Sequence, residues 1–250
     1  MTDWWIYPLL VVAGFVAGFI NTLAGAGSVV SLAVLNLAGL PLDVANGTKR
    51  VAILLQTIVG VNRFKKQGKL QARDHVGIIF PAVAGAIVGA LLVEQVTDVV
   101  FRRSVGICMV LVLGLLFFKP QRWIEGDLEQ LQKKTGPGRM IAFFLVGIYG
   151  GYIQVGVGIF LLSALVLVEG LDLVRANAVK VLLALCFTVP ALLIFLMNGL
   201  VRWDLGLALA AGSMLGAWVA THEAAKRGAP FVRHLLIIVV IVSAIRYLFF

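Results

Sequence analysis

Asn46 and Lys49 stand three residues apart, and the same pair recurs as Asn177 and Lys180. At that spacing both side chains share one helical face. An Asn amide can donate to an oxyanion and a Lys ammonium supplies a compact positive charge, so the pair has the chemistry of an anion site. The first face continues through Ile53, Gln56, Thr57 and Gly60, the second through Ala184, Phe187 and Thr188. Taken singly, each lysine reads as a helix-end snorkeller and each asparagine as a cap. Recurrence favours the anion site, because polar groups inside an apolar chain usually face a bundle interior or a water path.

A Gly-x-Gly break precedes each pair, at Gly25–Gly27 and Gly156–Gly158. Amides freed where a helix restarts, together with the helix dipole, make a cradle for an anion. Asn21, Thr22 and Ser28 flank the first break; Tyr152 and Gln154 flank the second. The candidate substrate-binding residues are therefore Asn21, Gly25, Gly27, Ser28, Asn46, Lys49, Gln56, Thr57, Tyr152, Gln154, Gly156, Gly158, Asn177, Lys180 and Thr188.

Both constellations belong to one duplication. Residues 25–118 align without a gap with 156–249, at a constant offset of 131. Aliphatic matches count for little in so apolar a chain. The informative ones are Gly25/Gly156, Gly27/Gly158, Gly39/Gly170, Asn46/Asn177, Lys49/Lys180, Thr57/Thr188, Gly68/Gly199, Gly85/Gly216 and Arg102/Arg233. A duplication in a strongly hydrophobic chain marks a repeat-built membrane transporter, with its site where the copies meet.

Composition agrees. The 250 residues are 61% hydrophobic and only 13% charged, with a mean hydropathy of +1.02. Soluble domains carry about a quarter charged residues, so this chain is solvated by a lipid bilayer. Its net charge of +9 sits in short loops between apolar runs, a positive-inside pattern and not a nucleic-acid face. Trp4, Trp5 and Tyr7 read as an interfacial anchor for the first helix. Cys108 and Cys186 lie alone in separate apolar runs, as buried structural thiols. Asp, Glu and His residues lie in loops or near predicted helix ends, and there is no HExxH, GxSxG or Walker loop. No cofactor or metal is expected. An intramembrane enzyme would need a catalytic pair at membrane depth, and none is found.

The elements that must position these residues follow from length. Each copy opens with a small-residue helix, Gly14-xxx-Gly18 or Gly147-xxx-Gly151, suited to close helix packing. Gly85-xxx-Gly89 and Gly212-xxx-Gly216 read the same way, and Pro81 and Pro190 as helix kinks. From Pro8 to Ala38 a continuous helix would run about 46 Å, against a hydrocarbon core of about 30 Å. The break therefore predicts a hairpin. Three longer helices follow in each copy, near Ala45–Arg63, Asp74–Val93 and Arg102–Phe118, then Ala176–Met197, Asp204–Thr221 and Val232–Phe249.

The expected architecture is all-α: a polytopic membrane protein of two inverted repeats, each a broken helical hairpin followed by three transmembrane helices. The expected divisions are a first repeat at 1–118, a cytoplasmic linker at 119–139 and a second repeat at 140–250. With hairpins, Lys and Arg distribute 15 to one side and 6 to the other; with single crossings the split is 12 to 9. The sharper asymmetry favours hairpins and places both termini outside.

At Asn21-Thr-Leu-Ala-Gly-Ala-Gly-Ser28, Gly39–Lys49, Gly150-Gly-Tyr152, Ala176-Asn-Ala-Val-Lys180 and Gly199-Leu-Val-Arg-Trp203 the chain resembles the sulfite exporter TauE/SafE family. The resemblance spans nearly the whole length. It implies a multi-pass inner-membrane permease for a small sulfur-containing anion such as sulfite, a sulfonate or sulfoacetate, with export the expected direction. An anion channel on the same scaffold is the alternative, and a homo-oligomer is compatible with either. Asn21 departs from the family, where an acid is common, so that position carries no coupling carboxylate.

The charge distribution generates a topology test. Single cysteines at Thr2 and after Phe250 should react with an impermeant thiol reagent from outside, and one at Gln67 only after the membrane is opened. Labelling of Gln67 in intact cells would reject the hairpin topology.

Overall fold

The computed structural model describes residues 4–92, 124–127, 131, 136–152 and 154–249. The expected helix Arg102–Phe118, Cys108 and most of the 119–139 linker lie outside the described residues. Elsewhere the fold is all-helical. In chain order the helices are α1 (Ile6–Leu23), α2 (Ser28–Leu37), α3 (Leu42–Lys66), a 3-10 turn at Ala72–His75, α4 (Val76–Leu91), α5 (Pro137–Tyr152), α6 (Val157–Leu167), α7 (Leu173–Met197) and α8 (Trp203–Phe249).

Both predicted breaks are present. α1 stops at Leu23 and the chain turns back: a side chain at Gly27 would strike the Ala17 carbonyl, more than a turn behind the break. The return brings Leu35 and Leu40 into one apolar cluster with Ile6 and Leu10, at the end where α3 begins. The second break returns likewise, with Tyr149 edge-on to Phe160 at 5.0 Å. Three repeated glycine pairs share the left-handed backbone that other residues resist: Gly25/Gly156 (φ 80° and 72°), Gly39/Gly170 (85° and 80°) and Gly68/Gly199 (67° and 68°).

α3 and α7 are both 25 residues long and start 131 residues apart. They run antiparallel, with Gly60 of α3 against Val181 near the start of α7 and Gly47 against Phe195 near its end. The side chain of Asp172 caps α7, accepting from the Val174 and Arg175 amides at 2.9 and 3.1 Å. Asn46 and Asn177 therefore lie inside their helices and are not caps.

Around this pair, α1 packs on α8 and α4 on α5 through interlocking glycines. Side chains at Gly14 and Gly18 would run into the backbones of Leu209 and Ser213, and at Gly212 into that of Val11. In the other pair Gly147 meets Ala82, Gly151 meets Ala86 and Gly89 meets Ile148. Lipid leaves no hydrophobic drive to hold helices together, so close backbone approach has to supply the attraction.

Among the described residues three helices are long and apolar enough to cross a membrane: Ile6–Leu23, Leu173–Met197 and the Trp203–Val239 part of α8. α3 matches α7 in length but holds Lys49 and Arg50 fully buried. Those two residues, and Lys180 at 3% exposure, are not loop charges as the sequence tally supposed. Without them the split becomes 14 to 4. The expected helices Asp204–Thr221 and Val232–Phe249 are both present within α8, which is two helices meeting at a kink at Gly228, with φ 72° and ψ −169°, before Pro230. Unbroken it would be about 70 Å long, more than two hydrocarbon thicknesses.

Overpacking a tight contact costs about 1–3 kcal/mol, more when backbone must move. Gly89→Leu should therefore lower the thermal unfolding midpoint of the purified protein by several degrees. Gly138→Ala, with open space around it, should leave the midpoint unchanged.

Candidate functional site

The two breaks meet. A side chain on Gly25 would collide with the Gly158 backbone, and the reverse also holds. Only glycine on both strands allows this crossing, which joins the first break to the start of α6. Beside it opens a small cavity lined by both halves of the chain, with a volume of about 20 Å³.

Seven of the sequence-predicted residues line it: Asn21, Ser28, Gln56, Thr57, Gln154, Gly158 and Lys180. Thr22 adds to this polar arc, and Ile53, Val157, Leu161, Val181 and Ala184 form an apolar wall. The other candidates do not reach the cavity. Gly25, Gly27 and Gly156 shape the turns, and Thr188 Oγ1 lies 2.7 Å from the Gln154 amide nitrogen. Asn177 Oδ1 accepts from Lys180 at 2.7 Å. Asn46 donates to the Tyr152 carbonyl at 3.1 Å, and Lys49 is fully buried in α3.

The chemistry at the breaks differs from the amide cradle expected. The charges sit on the carbonyl ends of the interrupted helices. Lys180 Nζ donates to the Asn21 and Thr22 carbonyls, at 2.9 and 2.7 Å, in the last turn of α1. A helix C-terminus carries a partial negative charge and unsatisfied carbonyls, so an ammonium is well placed there. Asn177, three residues earlier on α7, fixes the ammonium from its own helix. These acceptors are carbonyl and amide oxygens, not carboxylates, so the positive charge on the cavity wall is only partly offset.

Arg50 does the same for the other half, and the sequence reading missed it. Its Nη2 donates to the Gly151 and Tyr152 carbonyls at 2.6 and 3.2 Å, and Nη1 reaches the Gly150 carbonyl at 3.5 Å. Its guanidinium also lies 4.4 Å from the centre of the Phe195 ring. The signal that could have found it is a second cation, adjacent to Lys49, directly before the apolar run Val51–Val61.

Ser28 Oγ donates to the Gln154 carbonyl at 3.5 Å, linking the breaks across the cavity. Gln154 adopts φ 65°, the one left-handed non-glycine residue among those described. Its Oε1 is buried without a hydrogen-bond partner. Away from the cavity, Arg139 pairs with Glu169 at 3.2 Å, tying the start of α5 to the turn after α6. Burial pushes the Glu169 carboxyl above its ordinary range, against the pull of Arg139.

Comparison with known proteins gives one family over almost the full length: the profile of Sulfite exporter TauE/SafE matches residues 10–247. A probable membrane transporter protein, ORF9, from Sinorhizobium sp. is 30% identical over 97% of this chain and 92% of its own length. A probable membrane transporter protein from Haemophilus influenzae is 25% identical over 93% and 91%. The probable membrane transporter protein YfcA of Escherichia coli K12 is 28% identical over 96% and 89%. No solved structure matches the chain.

Proposed function

The chain belongs to the sulfite exporter TauE/SafE family of multi-pass membrane transporters, and from that premise we propose that it is a permease for a small sulfur-containing oxyanion. The substrate class is sulfite, a sulfonate or sulfoacetate, and the direction is export across the inner membrane. Both termini lie outside in this reading, and two inverted repeats, 1–118 and 140–250, flank a cytoplasmic linker. The antiparallel course of α3 and α7 supports the inversion, and the 14 to 4 charge split supports the orientation.

One observation carries the substrate charge. Lys180 lines the cavity with its ammonium set against carbonyls and an amide oxygen. An oxyanion beside it completes the neutralisation. Gln56, Thr57 and Gln154 surround the same space with hydrogen-bonding groups. The apolar wall lowers the local dielectric, which strengthens such contacts.

A hydrogen bond to a charged group contributes about 1.5–3 kcal/mol. Lys180→Ala should therefore weaken sulfite binding by roughly 10- to 100-fold. Lys66→Ala, on the exposed end of α3, should bind as wild type. Equal binding by both variants would return Lys180 to a purely structural role.

Among the described residues, no acidic side chain lines the cavity. Transport without a protonation relay at the site follows. An inside-negative potential of about 100 mV then favours exit by about 2.3 kcal/mol per negative charge. In proteoliposomes, flux of a sulfonate that is fully ionised at every pH tested should follow an imposed potential with no pH gradient. Flux that ignores the potential and tracks a pH gradient would refute this coupling. Accumulation against the anion's electrochemical gradient, driven by another solute, would separate a coupled permease from a channel.

A further inference from the structure

We propose that Arg50 is the positioning residue of the cavity, matched to a two-residue lengthening of the second break that brings Gln154 to the substrate. The role assigned to Gln154 rests on reading the cavity as the substrate site; the match between Arg50 and the lengthening does not.

The two halves stop obeying one offset at the breaks. Gly25 and Gly156, and the residues after them, are 131 apart. The helices before them are not, as their packing shows. Gly18 meets Ser213 while Gly147 meets Ala82, and Ala82 and Ser213 are 131 apart, so Gly18 corresponds to Gly147. The second break is thus two residues longer, and Gln154 lies in the added stretch.

In this register Asn21 and Thr22 correspond to Gly150 and Gly151. Lys180 holds the first two carbonyls and Arg50 is bonded to the second two, adding that of Tyr152. Arg50 has no partner in the duplication, its counterpart being Val181. A guanidinium is a fixed planar fork that can span several acceptors, where an ammonium is a compact point. The fork therefore fits the helix end that feeds the longer turn. It fastens α5 directly before the left-handed Gln154, whose amide N–H lies 3.4 Å from the Tyr149 carbonyl. Gln154 is then held against Thr188 at 2.7 Å and faces the cavity.

A double-mutant cycle on the full-length protein in detergent tests the match. Arg50→Val restores the residue of the other half, and deletion of residues 153 and 154 restores its turn length. Each alone should lower the unfolding midpoint by at least about 5 °C. The combined protein should regain half or more of the summed loss. A combined protein as unstable as the sum of the two, or one that fails to fold, overturns the match.

Sulfite flux tests positioning. Arg50→Lys should raise the apparent KM about tenfold with Vmax changed less than twofold. Gly212→Ala, destabilised where α8 meets Val11 and away from the cavity, should keep the wild-type KM. The combined variant, lacking Gln154, should recover stability and keep a raised KM. An Arg50→Lys KM equal to wild type overturns the positioning role. Absence of sulfite flux in the wild type would count against the proposed substrate and leave the stability cycle to decide the match.

Discussion

A helix that stops inside an apolar body leaves carbonyls that lipid cannot satisfy, and each such group costs about 1–3 kcal/mol if left bare. A buried cation without a partner costs several kcal/mol more. This fold sets the two problems against each other. Lys180 serves the end of α1 and Arg50 the end of α5, so each half supplies the cation that the other half's broken helix needs. Neither break can form its observed geometry without the opposite half, and the interface between halves becomes the place where backbone polarity is resolved.

Glycine makes the exchange reachable. Gly25 and Gly158 cross with no room for a side chain, which brings the Lys180 ammonium within bonding distance of α1. The outer helices are clasped in the same way, α1 to α8 and α4 to α5, by glycines set four residues apart. These contacts fix the frame to which the breaks must fit. A bulkier residue at the crossing would separate cation and carbonyl together, so packing and electrostatics fail at one point.

Much of this was legible in the chain, because repetition exposed it. The glycine pairs Gly25/Gly156, Gly39/Gly170 and Gly68/Gly199 recur because each turn needs a left-handed residue. Lys180 stood out because its motif appears twice. Arg50 did not, since Val181 replaces it in the other copy and a lone arginine beside a lysine looks like a loop charge. The two-residue lengthening was hidden as well. It lies just before the gapless alignment begins, where only packing of Gly147 on Ala82 reveals the change of register. The polarity of the breaks was misread for a related reason: glycines mark where a helix ends and restarts, but not which end receives the charge.

The same asymmetry bears on how an anion would be held. Lys180 lines the cavity and Arg50 does not, although both neutralise a helix end. A helix terminus carries only about half an elementary charge, so each cation retains a positive remainder. That of Arg50 faces the Phe195 ring and α5. That of Lys180 borders open space. On the proposed reading, an oxyanion in that space competes with α1 for the same ammonium. Binding would then loosen the hold on the first break while the second stays fastened by three carbonyls. Such unequal fastening is a physical reason for the two halves to respond differently to substrate, and it arises from one arginine that the duplication does not share.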